Sequence, residues 1–209
     1  MGKCIITRRG SINSNIKFDK WEHTSGNNGY IINKDGWISN ITSQNLFIGI
    51  NKPFVYTQSF EIMLNFILTN KPSRSNTLIG SCVGFYKAPS VEIQQNKIWA
   101  GFSYLGSTWD KNLTYDFESY ELNKEYYLKY SYDASLKKLK LELSSDNISW
   151  NLLAQESDVE IGYQGKDTEY LEIGGVAQSV NHYFSCGKIN IFKSYIKTDG
   201  TLFWGIQYE

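Results

Sequence analysis

The chain of 209 residues carries 21 Lys and Arg against 21 Asp and Glu, a formal net charge of zero. That balance excludes the clustered positive excess with which whole domains engage nucleic acid or anionic lipid. Hydrophobic residues at 41% beside 20% charged residues exclude a disordered chain, and an aromatic content of 15% suits strands and sugar-facing or protein-facing surfaces.

In chain order, residues 1–14, with Arg8, Arg9, Gly10 and Ser11, read as an N-terminal arm or first edge strand. Met1 and Lys3 are followed by no apolar stretch of the roughly 7–15 residues that a secretory signal needs, so synthesis in the cytoplasm without a signal peptide is expected. No run approaches the ~20 apolar residues that cross a bilayer, and no membrane insertion is expected. Cys4, Cys82 and Cys186 are far apart in sequence, form no zinc-like cluster and read as small buried hydrophobes plus one near-terminal thiol. From residue 15 to 209 no linker or internal repeat divides the chain, which predicts one domain.

Within that domain the apolar residues alternate. Phe60, Ile62, Leu64, Phe66 and Leu68 share one parity, with Glu61, Asn65 and Thr69 on the other. Successive strand side chains face opposite sides, so the first set can be buried while most of the second meets solvent. Val91 and Ile93, then Ile98 with Trp99 and Phe102, predict two more strands joined near Gln95-Asn96, with Trp99 expected in the core. Tyr126, Leu128, Tyr130 and Tyr132 repeat the pattern, as do Leu139, Leu141 and Leu143 against Lys138, Lys140 and Glu142. A last run over 188–197 places Ile189 and Ile191 on one face. Asp133-Ala134-Ser135, Ser144-Ser145-Asp146-Asn147, Lys34-Asp35-Gly36 and Thr198-Asp199-Gly200 supply turns. No segment shows convincing helical spacing. Many short strands without a helix predict an all-β, two-sheet antiparallel sandwich, with a closed barrel as the competing arrangement.

The closing segment, residues 187–197 (Gly-Lys-Ile-Asn-Ile-Phe-Lys-Ser-Tyr-Ile-Lys) followed by Gly200 and Leu202-Phe203-Trp204-Gly205, resembles the final strands of concanavalin A-like, laminin-G-like jelly rolls. The aromatic-Trp-Gly ending is similar to the version found in bacteriophage tail and other virion structural proteins. Phe60-Glu61-Ile62, residues 126–130, residues 139–143 and Tyr170-Leu171-Glu172-Ile173-Gly174-Gly175 stand in the order that such domains use. The resemblance covers residues 30–206. It implies a jelly-roll sandwich working in a virion as a tail-fibre or head-decoration protein that adheres to host-surface glycan. A homo-oligomer, and contacts with other virion proteins, are implied with it. A purely structural virion protein without a glycan ligand is the alternative.

Candidate chemistry is sparse. Glycoside hydrolysis needs two carboxylates ~5–9.5 Å apart, and the Glu-x-Asp-x-Glu triplet that would set them along one strand is absent. Asp158-Val159-Glu160 lacks a third acid, and Glu118 with Glu121 has the wrong parity. His23 and His182 are the only histidines and no Gly-x-Ser-x-Gly elbow occurs, so no nucleophile–base system is predicted. A polysaccharide hydrolase is therefore the least favoured reading, and no catalytic residue is assigned. Asp110, Asn112, Thr114, Asp116 and Glu121 follow a calcium-hand-like spacing in which Tyr115 stands where the turn needs glycine. Asp110 and Asp116 remain candidates for a rim Ca2+ site. The best binding candidate spans residues 102–116: Tyr104, Trp109 and Tyr115 for stacking on pyranose faces, and Asp110, Asn112 and Asp116 for their hydroxyls.

Overall fold

The computed structural model describes residues 16–18, 31–32, 35–39, 48–50, 58–81, 89–102, 111–160, 171–175 and 183–208. Fifteen strands are found there: β1 (Ile16–Phe18), β2 (Ile31–Ile32), β3 (Trp37–Ser39), β4 (Ile48–Gly49), β5 (Phe60–Leu68), β6 (Asn76–Ser81), β7 (Ser90–Gln94), β8 (Lys97–Phe102), β9 (Lys111–Asp116), β10 (Glu125–Asp133), β11 (Lys138–Ser144), β12 (Asn151–Glu156), β13 (Leu171–Ile173), β14 (Gly187–Thr198) and β15 (Thr201–Tyr208). No helix occurs among the described residues. One sheet has nine strands, in the order β1-β15-β14-β5-β10-β11-β12, with β3 also paired to β14 and β2 paired to β3. The other has six, in the order β4-β13-β6-β7-β8-β9. Two open sheets are present, so the sandwich and not the closed barrel is observed. The arm expected over residues 1–14 lies outside the described residues.

The alternation read from the sequence sets the interlayer. Phe60, Ile62, Leu64, Phe66 and Leu68 on β5, with Tyr126, Leu128, Tyr130 and Tyr132 on β10, face Val91, Ile93, Ile98 and Leu113 of the other sheet, all at most 6% exposed. Phe66 stacks on Tyr126 at 5.7 Å and meets Phe184 edge-on at 6.2 Å. Each side chain of this size contributes about 1.5–3 kcal/mol on full burial. Cys186 is buried, and desolvation pushes its thiol up to about 12, in keeping with an inert hydrophobe.

The pattern is broken at β14. Five steps from Asn190 to Tyr195 match only two steps on β5, from Asn65 to Met63. The first part of β14 pairs with β3, and the part after the bulge pairs with β15. At the break a side chain replaces the ladder: Asn65 N–H donates to Ser194 Oγ at 3.0 Å, and Ser194 Oγ donates to the Asn190 carbonyl at 2.6 Å. Asn190 Oδ1 accepts from the N–H groups of Phe192 and Lys193, while its amide donates to the Asp35 carbonyl. Gly36 accepts from Ile191 N–H at φ +84°, where a Cβ would stand 2.4 Å from Phe192 Cγ. Asn65, expected with the solvent-facing set, is fully buried because this knot encloses it.

At one side of the sandwich the edge strands β9 and β12 meet. Lys111 shares the inward parity of Leu113, Glu156 lies opposite inward-facing Leu139, and Lys111 Nζ approaches Glu156 Oε1 to 2.5 Å. The turn after β11 is closed by Asp146, whose Oδ1 accepts from Ser149 N–H at 2.7 Å, Ile148 N–H at 2.8 Å and Ser144 Oγ at 2.8 Å. Those bonds, led by the Ser149 N–H, draw its carboxyl down to about 2.

Three outcomes are expected. Ser194→Ala strands the buried Asn65 N–H and the Asn190 carbonyl, and urea unfolding should register a loss of about 1–3 kcal/mol. Tyr130 is 1% exposed and its hydroxyl has no hydrogen-bond partner, so Tyr130→Phe should leave stability unchanged or raise it by about 1 kcal/mol. Asp146 should titrate by NMR near pH 2. Its contribution, full above the unfolded value of about 3.9, is lost as pH falls through the folded one. A midpoint near the ordinary value would refute the triple acceptor geometry.

Candidate functional site

With Val91, Ile93, Ile98, Ala100, Leu171 and Ile173 committed to the interlayer, the residues between them must emerge on the outer face of the six-stranded sheet. Glu92, Trp99 and Glu172 do so. The ladder sets Thr77 beside Glu92, Glu92 beside Trp99 and Trp99 beside Thr114, a row crossing β6, β7, β8 and β9. The next row holds Ser90, Gly101 and Asn112, and the row on the other side holds Gln94, Lys97 and Asp116. Rows lie ~6.6 Å apart and strands ~4.8 Å apart.

Trp99, expected in the core, is a correction: it is half-buried on the outer face, because Ile98 and Ala100 occupy the inner positions of β8. Its six-membered ring lies flat across Gly101. A Cβ built there would stand 2.0 Å from Trp99 Cη2 and 2.4 Å from Cζ2, so glycine is what lets the indole lie down on the strand. A flat indole on a sheet face presents a planar apolar surface of the kind that covers the C–H face of a ring.

Other polar side chains share this outer face. Glu92 is 7% exposed, and its Oε2 accepts from Gln94 Nε2 at 3.2 Å. Glu172 and Thr77 are fully buried, and Thr77 Oγ1 has no hydrogen-bond partner. Ser90, 4% exposed, donates to the Ile79 carbonyl at 3.2 Å. Glu92, Trp99 and Glu172 each engage further neighbours as well. Burying a carboxylate is costly unless it is partnered, so two on the outside of a sheet mark this face as more than a solvated surface.

Of the residues expected to bind, Asn112 and Asp116 lie on this face, exposed, on the edge strand β9. Tyr115 does not join them. It is opposite Ile98, on the interlayer side, and is 37% exposed at the rim of the sandwich. Tyr104, Trp109 and Asp110 lie outside the described residues, as do His23, His182, Cys4 and Cys82. The calcium-like spacing meets an extended strand: Asn112, Thr114 and Asp116 run along it ~6.6 Å apart instead of curling around a point. Among the described residues no three His, Cys, Asp or Glu side chains could hold a metal together. The residues missed were Thr77, Glu92, Trp99 and Glu172. Their signal lay in the triplets Val91-Glu92-Ile93, Ile98-Trp99-Ala100 and Leu171-Glu172-Ile173, where apolar neighbours force the middle residue outward.

No family model matches this chain, and no curated protein matches it. Solved structures do. A carbohydrate-binding module of family 40 from the Ruminococcus gnavus IT-sialidase, bound to α2,3-sialyllactose, is 13% identical over 70% of this chain and 86% of its own, with a TM-score of 0.50. A heptameric SAP-like pentraxin from Limulus polyphemus is 9% identical over 77% of this chain and 74% of its own, with a TM-score of 0.53. Domains LG4-5 of the mouse laminin α1 chain are 12% identical, with 88% of this chain aligned to 46% of theirs and a TM-score of 0.53. At such identities the likeness shows the fold alone. The chain is an all-β, two-sheet antiparallel jelly-roll sandwich of the concanavalin A-like kind.

Proposed function

We propose that this chain is a non-enzymatic glycan-binding domain whose recognition face is the outer side of the six-stranded sheet. The observation that carries the reading is Trp99 laid flat over Gly101, with the Glu92 carboxylate and the Thr114 hydroxyl on either side. Stacking needs a planar apolar face, and orientation needs hydroxyl-binding groups at its margins. Asn112 and Asp116 extend those margins to the sheet edge. A binding role is favoured over hydrolysis because no Glu-x-Asp-x-Glu triplet lines one strand.

The setting proposed for this domain is a bacteriophage virion, as part of a tail fibre or head decoration that adheres to host-surface glycan. The support is the resemblance of the Leu202-Phe203-Trp204-Gly205 ending to virion jelly rolls. A homo-oligomeric virion part would present several copies at once, and the second contact with a surface then becomes intramolecular and gains avidity.

Purified protein is expected to bind at least one glycan or bacterial surface in an array or cell-binding assay. Trp99→Ala should weaken that binding by about tenfold or more, equivalent to about 1.4 kcal/mol, while circular dichroism and the melting temperature remain those of a folded sandwich. A folded protein that binds no glycan and no host surface would overturn the proposal.

A further inference from the structure

We infer that Arg74 is the centre of an oxyanion-binding site, one that takes the carboxylate, sulfate or phosphate group of a ligand. The site lies where the segment after β5 meets the segment before β14. Thr69 N–H and Asn70 N–H both donate to the Cys186 carbonyl, at 2.8 and 3.0 Å, and Ser185 N–H donates to Asn76 Oδ1 at 3.0 Å. Asn76, 1% exposed, joins the two segments from inside the fold. Its amide donates to the Arg74 carbonyl at 2.7 Å, and its Oδ1 also accepts from Ser185 Oγ at 3.0 Å. The backbone that carries Arg74 is thereby held in place by a buried side chain.

The guanidinium is held as well. Its Cζ stands 4.0 Å from the centroid of the Tyr183 ring, and Nη2 donates to Ser185 Oγ at 3.4 Å. Stacking occupies one face of the planar group and leaves the other N–H donors around its edge for a ligand. The charge itself is unanswered. Lys111, Lys124, Lys137 and Lys193 each meet a glutamate, whereas Arg74 meets no carboxylate among the described residues. Residues 70–76 and 183–188 contain Lys71, Arg74 and Lys188 and no Asp or Glu, so the local charge is positive in a chain that is neutral overall. Arg74 is also the one arginine among the described residues, the other cations there being lysines. A planar fork suits an oxyanion because two parallel N–H groups can reach two of its oxygens, and such charge-assisted pairs are the strong ones.

The test titrates the full chain by calorimetry with inorganic sulfate, inorganic phosphate, a hexuronate oligomer and the matching neutral hexose oligomer, while NMR follows the Arg74 Nε–H in wild type. The three anions should each move that signal saturably, and the neutral oligomer should not. Arg74→Ala should weaken anion binding by about tenfold or more, and Arg74→Lys, which keeps the charge and loses the fork, by about threefold or more. Both variants should keep the wild-type melting temperature. Raising sodium chloride from about 50 to 500 mM should weaken every anion. Trp99→Ala should leave anion affinity unchanged, which separates this site from the stacking face. Tighter binding of the hexuronate oligomer than of the free ions would assign the oxyanion to an acidic glycan, and equal binding would assign it to a free anion. No saturable shift with any of the three anions, or an affinity that Arg74→Ala leaves unaltered, would overturn the inference and leave the proposed glycan-binding role untouched.

Discussion

Parity is the constraint on which this protein depends. Each strand of the six-stranded sheet must place one set of side chains in the shared interlayer, and that requirement decides what appears on the reverse. Val91 and Ile93 inward put Glu92 outward, and Leu171 and Ile173 inward put Glu172 outward. A one-residue slip would bury both carboxylates in hydrocarbon and expose four aliphatic side chains, so the register that makes the core also makes the candidate binding face. Core and site are two sides of one pattern, and their energetics are coupled through it.

Where alternation fails, polar side chains take over the work of the ladder. The bulge in β14 lets one strand change neighbours, from β3 to β15. Ser194 and Asn190 supply the substitute bonds, and Gly36 supplies the space. This is why Asn65, Asn190 and Ser194 are buried there together.

Most of the architecture was legible in the sequence because strand parity is a local property. The inward faces of β5, β10 and β11 could be read directly, as could the turns at Asp133 and Asp146. The bulge could not, since it depends on how Asn65 and Ser194 meet across 129 positions of sequence. Trp99 was misassigned for a different reason: a large aromatic favours burial, and composition outweighed position although Ile98 and Ala100 already held the inner places. For the candidate site, Asn112 and Asp116 were singled out by residue type, but Glu92 and Glu172 were passed over because each sits alone between aliphatic residues. A search for clustered acids sees proximity in sequence, whereas a sheet assembles its chemistry across strands.

The Lys111–Glu156 pair has a consequence for assembly. The two side chains meet between neighbouring borders of the two sheets, so one partly exposed ion pair, 35% and 34% open to solvent, joins those borders, and β12 is further distorted by its irregular pairing with β11. A second molecule adding its own strand there would have to match a kinked backbone against a charged seam, which is how natural sheets resist edge-to-edge growth. This flank is therefore poorly suited to the runaway pairing to which flat open borders are prone.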